Sequence, residues 1–298
     1  MSVLTEWYNV LSRYYLLMPP LVSIALCFID APFGRFSPST PSVLLVDGIK
    51  AWIAMELVSP LCFITAFLTS PLTRSWTSVK RFPLSPQVIY QMKSLNGISV
   101  PIPTPPGILV ILYFVHYANR AIISPLRTPV RSKSHIIVPL SAITFNAING
   151  PLLGAFCSAL AAPFDKTGIG APSLRVDKVV QNNAIFWLGV IMWGLGFVGN
   201  LWHDEILLNI RRKPTSEGMS SSGPDLKKRK TSQRELSSDK PHYAIPYGGL
   251  YKFISYPNYF TEWVEWTGYA IASTALANQL PVGHVVYPFL EGRINLGE

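Results

Sequence analysis

The chain has 298 residues, of which 49% are hydrophobic and only 14% charged, and its formal net charge is +9. Soluble domains carry about 25% charged residues, so this deficit, with eight Trp and thirteen Tyr, points to a lipid bilayer as solvent and excludes an ordinary soluble domain. The positive charge does not imply nucleic acid, because much of it sits in one segment after Arg211, as in a cytoplasmic loop of a membrane protein.

A spanning helix needs roughly 20 mostly apolar residues. In chain order the candidates are Tyr14–Phe28, Gly48–Leu68, Gly107–Ile123, Ile136–Leu160, Asn183–Leu208 and Trp263–Leu280. The first is short and interrupted by Pro19 and Pro20; the last carries several polar residues. The first twelve residues lack a basic region and contain Glu6, so the first apolar stretch reads as a retained span rather than a cleaved signal. Cys27, Cys62 and Cys157 lie in or beside apolar runs without a C-x-x-C pair, so neither a zinc site nor a disulfide framework is expected. No internal repeat and no soluble domain is evident. The expectation is a single membrane domain over residues 1–298.

The Lys and Arg distribution gives an orientation. With the N-terminus outside, fifteen of the 25 basic residues fall in inside loops and nine in outside segments, with Arg120 left within a span. Most of that bias comes from one stretch. Residues 213–240, KPTSEGMSSSGPDLKKRKTSQRELSSDK, are polar, Ser-rich and free of aromatics. Such a segment cannot bury enough apolar surface to offset its ordering entropy. It reads as a disordered cytosolic loop, its KKRK run being solvated charge or a targeting patch.

Ionisable groups inside spans are costly and mark candidate sites. Glu56 lies in WIAMELVSP with no basic residue near it in sequence. Either it stays protonated and donates a hydrogen bond, since desolvation disfavours the charged form, or it pairs with an Arg from another helix. His116, Tyr117 and Arg120 follow in YFVHYANR. His116 and Arg120 are one helical turn apart with Tyr117 adjacent. Tyr offers a phenolic donor and Arg a fork for phosphate or carboxylate. The plain alternative is a snorkelling Arg beside an interfacial aromatic.

Asn200, Asp204 and Arg211, in GNLWHDEILLNIRR, are four and eleven residues apart and share one helical stripe. That stripe suits a ligand with hydroxyl, amide and phosphate groups; an ordinary polar helix end is the alternative. Asn258, Glu262 and Glu265, in YPNYFTEWVEW, share another face. Two carboxylates one turn apart repel and need donors, which an amide-rich or ribose-bearing ligand would supply. Upstream, the Ile245–Gly249 run IPYGG is a turn that brings backbone N–H groups near a ligand, or simply connects loop to helix. No G-x-G-x-x-G follows a strand, and no Walker, H-E-x-x-H or G-x-S-x-G sequence occurs. A dinucleotide bound here would not sit on a Rossmann domain, and no metal site is expected.

The run IPYGGLYKFISYPNYFTEWVEWTGYA (Ile245–Ala270) closely resembles the C-terminal signature of the 3-oxo-5α-steroid 4-dehydrogenases, the steroid 5α-reductases. The resemblance extends to Pro32–Arg35, Met55-Glu56, His116-Tyr117-x-x-Arg120, Ile143–Gly150, and Asn200 with Asp204, in order along nearly the whole chain. It implies an all-α, multi-pass transmembrane bundle of six to seven helices in the endoplasmic reticulum membrane, with cofactor loops facing the cytosol. It implies NADPH-dependent reduction of the Δ4 double bond of a 3-oxo steroid or related lipid enone, hydride going to the β-carbon. Residues 243–280 would form the cofactor-binding signature region.

Under this resemblance Glu56 and Tyr117 would hold the substrate carbonyl oxygen. Cofactor contacts would fall to Asn200, Asp204, Arg211, Tyr243, Asn258 and Glu262, with Arg120, Arg127 and Arg131 as phosphate partners. The sequence departs from the family pattern at Ala244, where a basic residue is frequent, and at Thr261, where Gly is usual. It ends PVGHVVYPFLEGRINLGE in place of a basic tail bearing His and Tyr, the expectation for a truncated or divergent member. The competing readings are a membrane methyltransferase of the isoprenylcysteine type and an inactive truncated member.

Overall fold

In a bilayer every backbone polar group must be satisfied within the protein, which leaves helices as the spanning solution for apolar runs of this length. The computed structural model describes residues 3–28, 44–69, 72, 105–129, 131–161, 183–212 and 245–277. They form α1 (Val3–Leu26), α2 (Gly48–Thr69), α3 (Pro105–Tyr117), a π-helical turn (Ala118–Ile123), α4 (Ser124–Arg127), α5 (Ile137–Ala161), α6 (Ala184–Arg212), a 3-10 turn (Gly249–Lys252) and α7 (Pro257–Ala277). Among the described residues, four helical stretches are long and apolar enough to cross a membrane: Gly48–Thr69, Pro105–Arg127, Ile137–Ala161 and Ala184–Arg212. The protein is an all-α membrane bundle. A strand pair, Leu45–Val46 against Ser134–His135, ties together the segments that enter α2 and α5.

The helix starts are written locally. Asp47 Oδ1 accepts from the N–H groups of Ile49 and Lys50 at 3.0 and 2.8 Å, and Asn183 Oδ1 from those of Ile185 and Phe186 at 3.0 and 3.1 Å. Both are N-caps. Pro257 occupies the first turn of α7, where a missing N–H costs nothing. The expected break at Pro19-Pro20 does not occur: α1 runs through both prolines for 24 residues.

Packing is by two close pairs, α2 with α5 and α6 with α7, with α3 touching α2, α5 and α7. Lipid gives helices no hydrophobic reason to associate, so small residues that let backbones approach carry the contact. A Cβ on Gly150 or Gly154 would strike the α2 backbone at Ser59 or Phe63, and one on Gly196 would strike the α7 backbone at Glu265. Between the pairs lies a core of Phe63, Tyr113, Tyr117, Phe156, Phe186, Trp193 and Tyr269. Phe63 stacks on Tyr113 with ring centroids 4.1 Å apart. The outer face is apolar, with Leu61, Leu188, Ile191, Leu195 and Trp263 exposed, the surface that lipid tails cover.

Candidate active site

The polar groups converge where α3 passes between the two helix pairs. Arg120 lies between two carboxylates from opposite pairs, its Nε 3.5 Å from Glu56 Oε1 on α2 and its Nη1 3.7 Å from Glu262 Oε2 on α7. His116 lies one turn back. Its Nδ1 is 2.8 Å from Glu265 Oε1 and its Nε2 is 3.9 Å from Glu262 Oε1. An alternating chain Glu56–Arg120–Glu262–His116–Glu265 therefore crosses the bundle. Glu56 thus meets an Arg from another helical segment. Glu262 and Glu265 are met by the protein's own Arg120 and His116, where the sequence pointed to a ligand. One oxygen stays unserved: Glu265 is fully buried, and its Oε2 has no hydrogen-bond partner.

Tyr117 is buried beside this chain, within the electrostatic reach of Glu56, and the side chains of Ser59, Tyr113 and Asn149 are its hydrogen-bonding neighbours. Ser59 Oγ and the Tyr113 hydroxyl share a 2.6 Å hydrogen bond. Asn146 Nδ2 donates to the Met55 carbonyl at 2.7 Å, clamping α5 onto α2 next to Glu56. Pro60 has no N–H for the carbonyl four residues back, which is that of Glu56.

A second polar group joins α6 to α7. Asn200 Nδ2 donates to the Asn258 carbonyl at 3.0 Å, and Asn258 Nδ2 donates to Asp204 Oδ1 at 3.0 Å. The stripes Asn200–Asp204 and Asn258–Glu262, each read from its own spacing, thus face each other. Asp204 also lies in the field of Arg120, Glu262 and Arg211. Asn258 Oδ1 is buried without a partner. Two orphaned acceptors, Asn258 Oδ1 and Glu265 Oε2, flank the ion chain, and buried acceptors of this kind call for donors. The carboxamide and ribose hydroxyls of a nicotinamide dinucleotide are donors of that type, so the residues present fit such a cofactor.

The basic residues divide. Arg131 stacks on Trp52 with its Cζ 3.7 Å from the ring centroid, and Arg120 lies over the same ring at 4.6 Å. Burial, and then the Arg120 guanidinium, push Arg131 down to about 10, still protonated at neutral pH. Arg211 adds a further positive charge to this field. Arg127 is instead engaged by Glu205, which also holds Arg212 at 2.8 Å. Arg127 is thus the one arginine of the expected phosphate set tied up in a surface ion pair. Tyr243 lies outside the described residues, as do Pro32–Arg35, the 213–240 loop and the C-terminal ending.

Sequence reasoning missed His203 and Trp52. His203 falls off the Asn200–Asp204 stripe, yet it is buried. Its Nδ1 donates to the Gly199 carbonyl at 2.6 Å and its Nε2 accepts from Leu250 N–H at 3.1 Å. It therefore anchors the turn in which Gly248 and Gly249 have φ of 102° and 51°, values that favour glycine. A buried His one residue before an acid on a predicted helix was the available signal.

Helices with an apolar outer face and a buried ionic chain define a membrane protein with an internal polar site. Comparison with known proteins gives the family. Residues 227–283 match the model for 3-oxo-5-alpha-steroid 4-dehydrogenase. An uncharacterised protein of Schizosaccharomyces pombe is 30% identical over 253 residues, covering 83% of this chain and 75% of that one. Rat 3-oxo-5-alpha-steroid 4-dehydrogenase 1 is 25% identical over 253 residues, 85% of this chain and 73% of the rat protein. A tomato (Solanum lycopersicum) steroid 5-alpha-reductase is 24% identical over 272 residues, 89% and 78% respectively. The chain belongs to the 3-oxo-5-alpha-steroid 4-dehydrogenase, or steroid 5α-reductase, family.

Proposed function

We propose that this protein is an NADPH-dependent oxidoreductase that reduces the Δ4 carbon–carbon double bond of a 3-oxo steroid or a related lipid enone. The observation that carries the reading is the meeting of Glu56, Tyr117, Arg120 and Glu262 at one point between two helix pairs, in a chain whose relatives include enzymes named for this reaction. When bound, NADPH supplies the hydride that reaches the β-carbon. Glu56 and Tyr117 act at the other end of the enone. Tyr117, and Glu56 in its protonated form, donate to the carbonyl oxygen as it gains enolate charge, and donors placed at a developing oxyanion are often the largest single contribution to rate. A proton then adds at the α-carbon and restores the ketone. Arg120 holds Glu56 in position from across the helix boundary.

The cofactor is assigned to Asn200, Asp204, Asn258 and Glu262 for its donor-bearing parts, and to Arg120, Arg131 and Arg211 for its phosphates, with Tyr243 as a further contact. Arg127 joins the phosphate set once Glu205 releases it. The lipid substrate reaches the site from the bilayer. The basic character of the loops after Arg127 and Arg211 supports a cofactor side in the cytosol, with the protein in the endoplasmic reticulum membrane.

The test uses the full chain in detergent micelles, with NADPH oxidation followed in the presence of a 3-oxo-Δ4 steroid. Turnover is expected to fall by a factor of about 100 or more in Glu56→Gln and in Tyr117→Phe, the scale for loss of an oxyanion donor. NADPH, but not S-adenosylmethionine, is expected to raise the Tm. Rates equal to the parent protein in both variants would remove the mechanism, and a shift with S-adenosylmethionine alone would favour methyl transfer.

A further inference from the structure

The widened turn after Tyr117 has an identifiable physical cause. In residues 118–123 the backbone bonds run to the fifth residue back, and Ser124 N–H donates to the Asn119 carbonyl. The Arg120 carbonyl, the usual α-helical acceptor for Ser124, is left over. The next donor in the π ladder would be residue 125. That residue is Pro125, which has no N–H. The Arg120 carbonyl therefore has no backbone donor of either register, at a part-buried position between the buried Asn119 and Ala121, where an unpaired carbonyl is costly. Trp52 supplies the missing hydrogen: its Nε1 donates to the Arg120 carbonyl at 3.1 Å. Trp52 lies on α2 one turn before Glu56, so the bond crosses from one helix to the other next to the site.

The same indole has a second task. Its ring carries the guanidinium groups of both Arg120 and Arg131, and the Arg120 charge depresses that of Arg131. Arg120 is balanced by Glu56 and Glu262. Arg131 has no carboxylate within ion-pair distance among the described residues. An aromatic face favours a cation stacked on it and fixes the plane of the guanidinium fork. It does so without neutralising the positive charge, which an anion can then use.

We infer that Trp52 is a positioning residue for anion binding: its N–H holds the π turn that aims Arg120, and its ring holds Arg131 in readiness for the phosphate groups of the cofactor. This inference rests on the dinucleotide reading of the site, which it deepens. Trp52 contacts the Arg120 carbonyl and the Arg120 and Arg131 guanidinium groups. Its effect is transmitted through the two arginines, and its two halves separate by substitution. Trp52→Phe keeps the aromatic face and removes the N–H; Trp52→Leu removes both.

The test has a ligand arm and a ligand-free arm. NADPH affinity is measured on the full chain in micelles by equilibrium dialysis, with kcat and KM alongside. Trp52→Leu is expected to weaken NADPH about tenfold or more, on the scale of a desolvated cation–π contact with each arginine. Trp52→Phe is expected to keep most of that affinity and to lower kcat instead, because Arg120 loses its aim at Glu56. In the ligand-free arm, hydrogen exchange at the backbone of residues 118–124 is expected to accelerate about tenfold in Trp52→Phe. Pro125→Ala, which returns an N–H, is expected to remove most of that acceleration in the double variant. Unchanged NADPH affinity in folded Trp52→Leu would overturn the role of the ring. Unchanged exchange in Trp52→Phe would overturn the role of the N–H, and that variant decides the matter if Trp52→Leu does not fold. Failure of the parent protein to bind NADPH would overturn the functional proposal instead, while the exchange arm still decides whether Trp52 holds the turn.

Discussion

Replacing Arg120 by Met tests the ion chain most directly. Met keeps a long apolar stem but leaves Glu56 and Glu262 without their shared cation. The Arg120 side chain is 18% exposed and the two carboxylates 12% and 16%, so water compensates little. At separations of 3.5 and 3.7 Å, each pair is worth about 4–5 kcal/mol at an effective dielectric of 20. The cost of desolvating the ions in the parent protein offsets much of that sum, and breaking such a pair typically costs about 3–5 kcal/mol. Arg120→Met is therefore expected to lose about 3–5 kcal/mol, read as a large drop in Tm in detergent. Adding Glu262→Gln to Arg120→Met removes one stranded carboxylate and is expected to recover about 1–2 kcal/mol, a part of the original cost. The reasoning is refuted if the single variant melts with the parent protein, or if the double variant is destabilised by the sum of the two single losses.

The glycines give a paired test. Gly196→Ala drives a methyl into the α7 backbone at Glu265 and should destabilise by about 1–3 kcal/mol. Gly194→Ala, two residues away, meets nothing within 4 Å and should be neutral or stabilising by up to about 1 kcal/mol; equal Tm values for the two would refute the close approach. His203→Ala leaves the Leu250 N–H without its acceptor and should speed proteolysis or hydrogen exchange across 248–252, with a loss of about 1–3 kcal/mol. Asn258→Leu removes the bond to Asp204 and the orphaned Oδ1 together. It should raise the KM for NADPH about tenfold or more, as for a lost polar contact in a buried site, while the helical content seen by circular dichroism stays unchanged.

What the sequence by itself determined is what depends on neighbours along the chain. Helices follow from apolar runs of spanning length, because a backbone in lipid must bond to itself, and their starts follow from Asp47, Asn183 and Pro257. Helical periodicity placed Asn200 with Asp204, Asn258 with Glu262 and Glu265, and His116 with Arg120, and the structure keeps each of these groupings. The tertiary structure alone decided which group answers which. Glu56 meets Arg120 from 64 positions further on, His116 turns to Glu265, Glu205 pairs with Arg127, and His203 holds a glycine turn that no spacing connects to it. Pairing between helices depends on how the glycine faces let them approach, and a one-dimensional pattern carries no record of that approach. Trp52 shows the division most clearly. Pro125 in the sequence creates a carbonyl without a donor, and only the packing of α2 beside the π turn reveals which side chain supplies one.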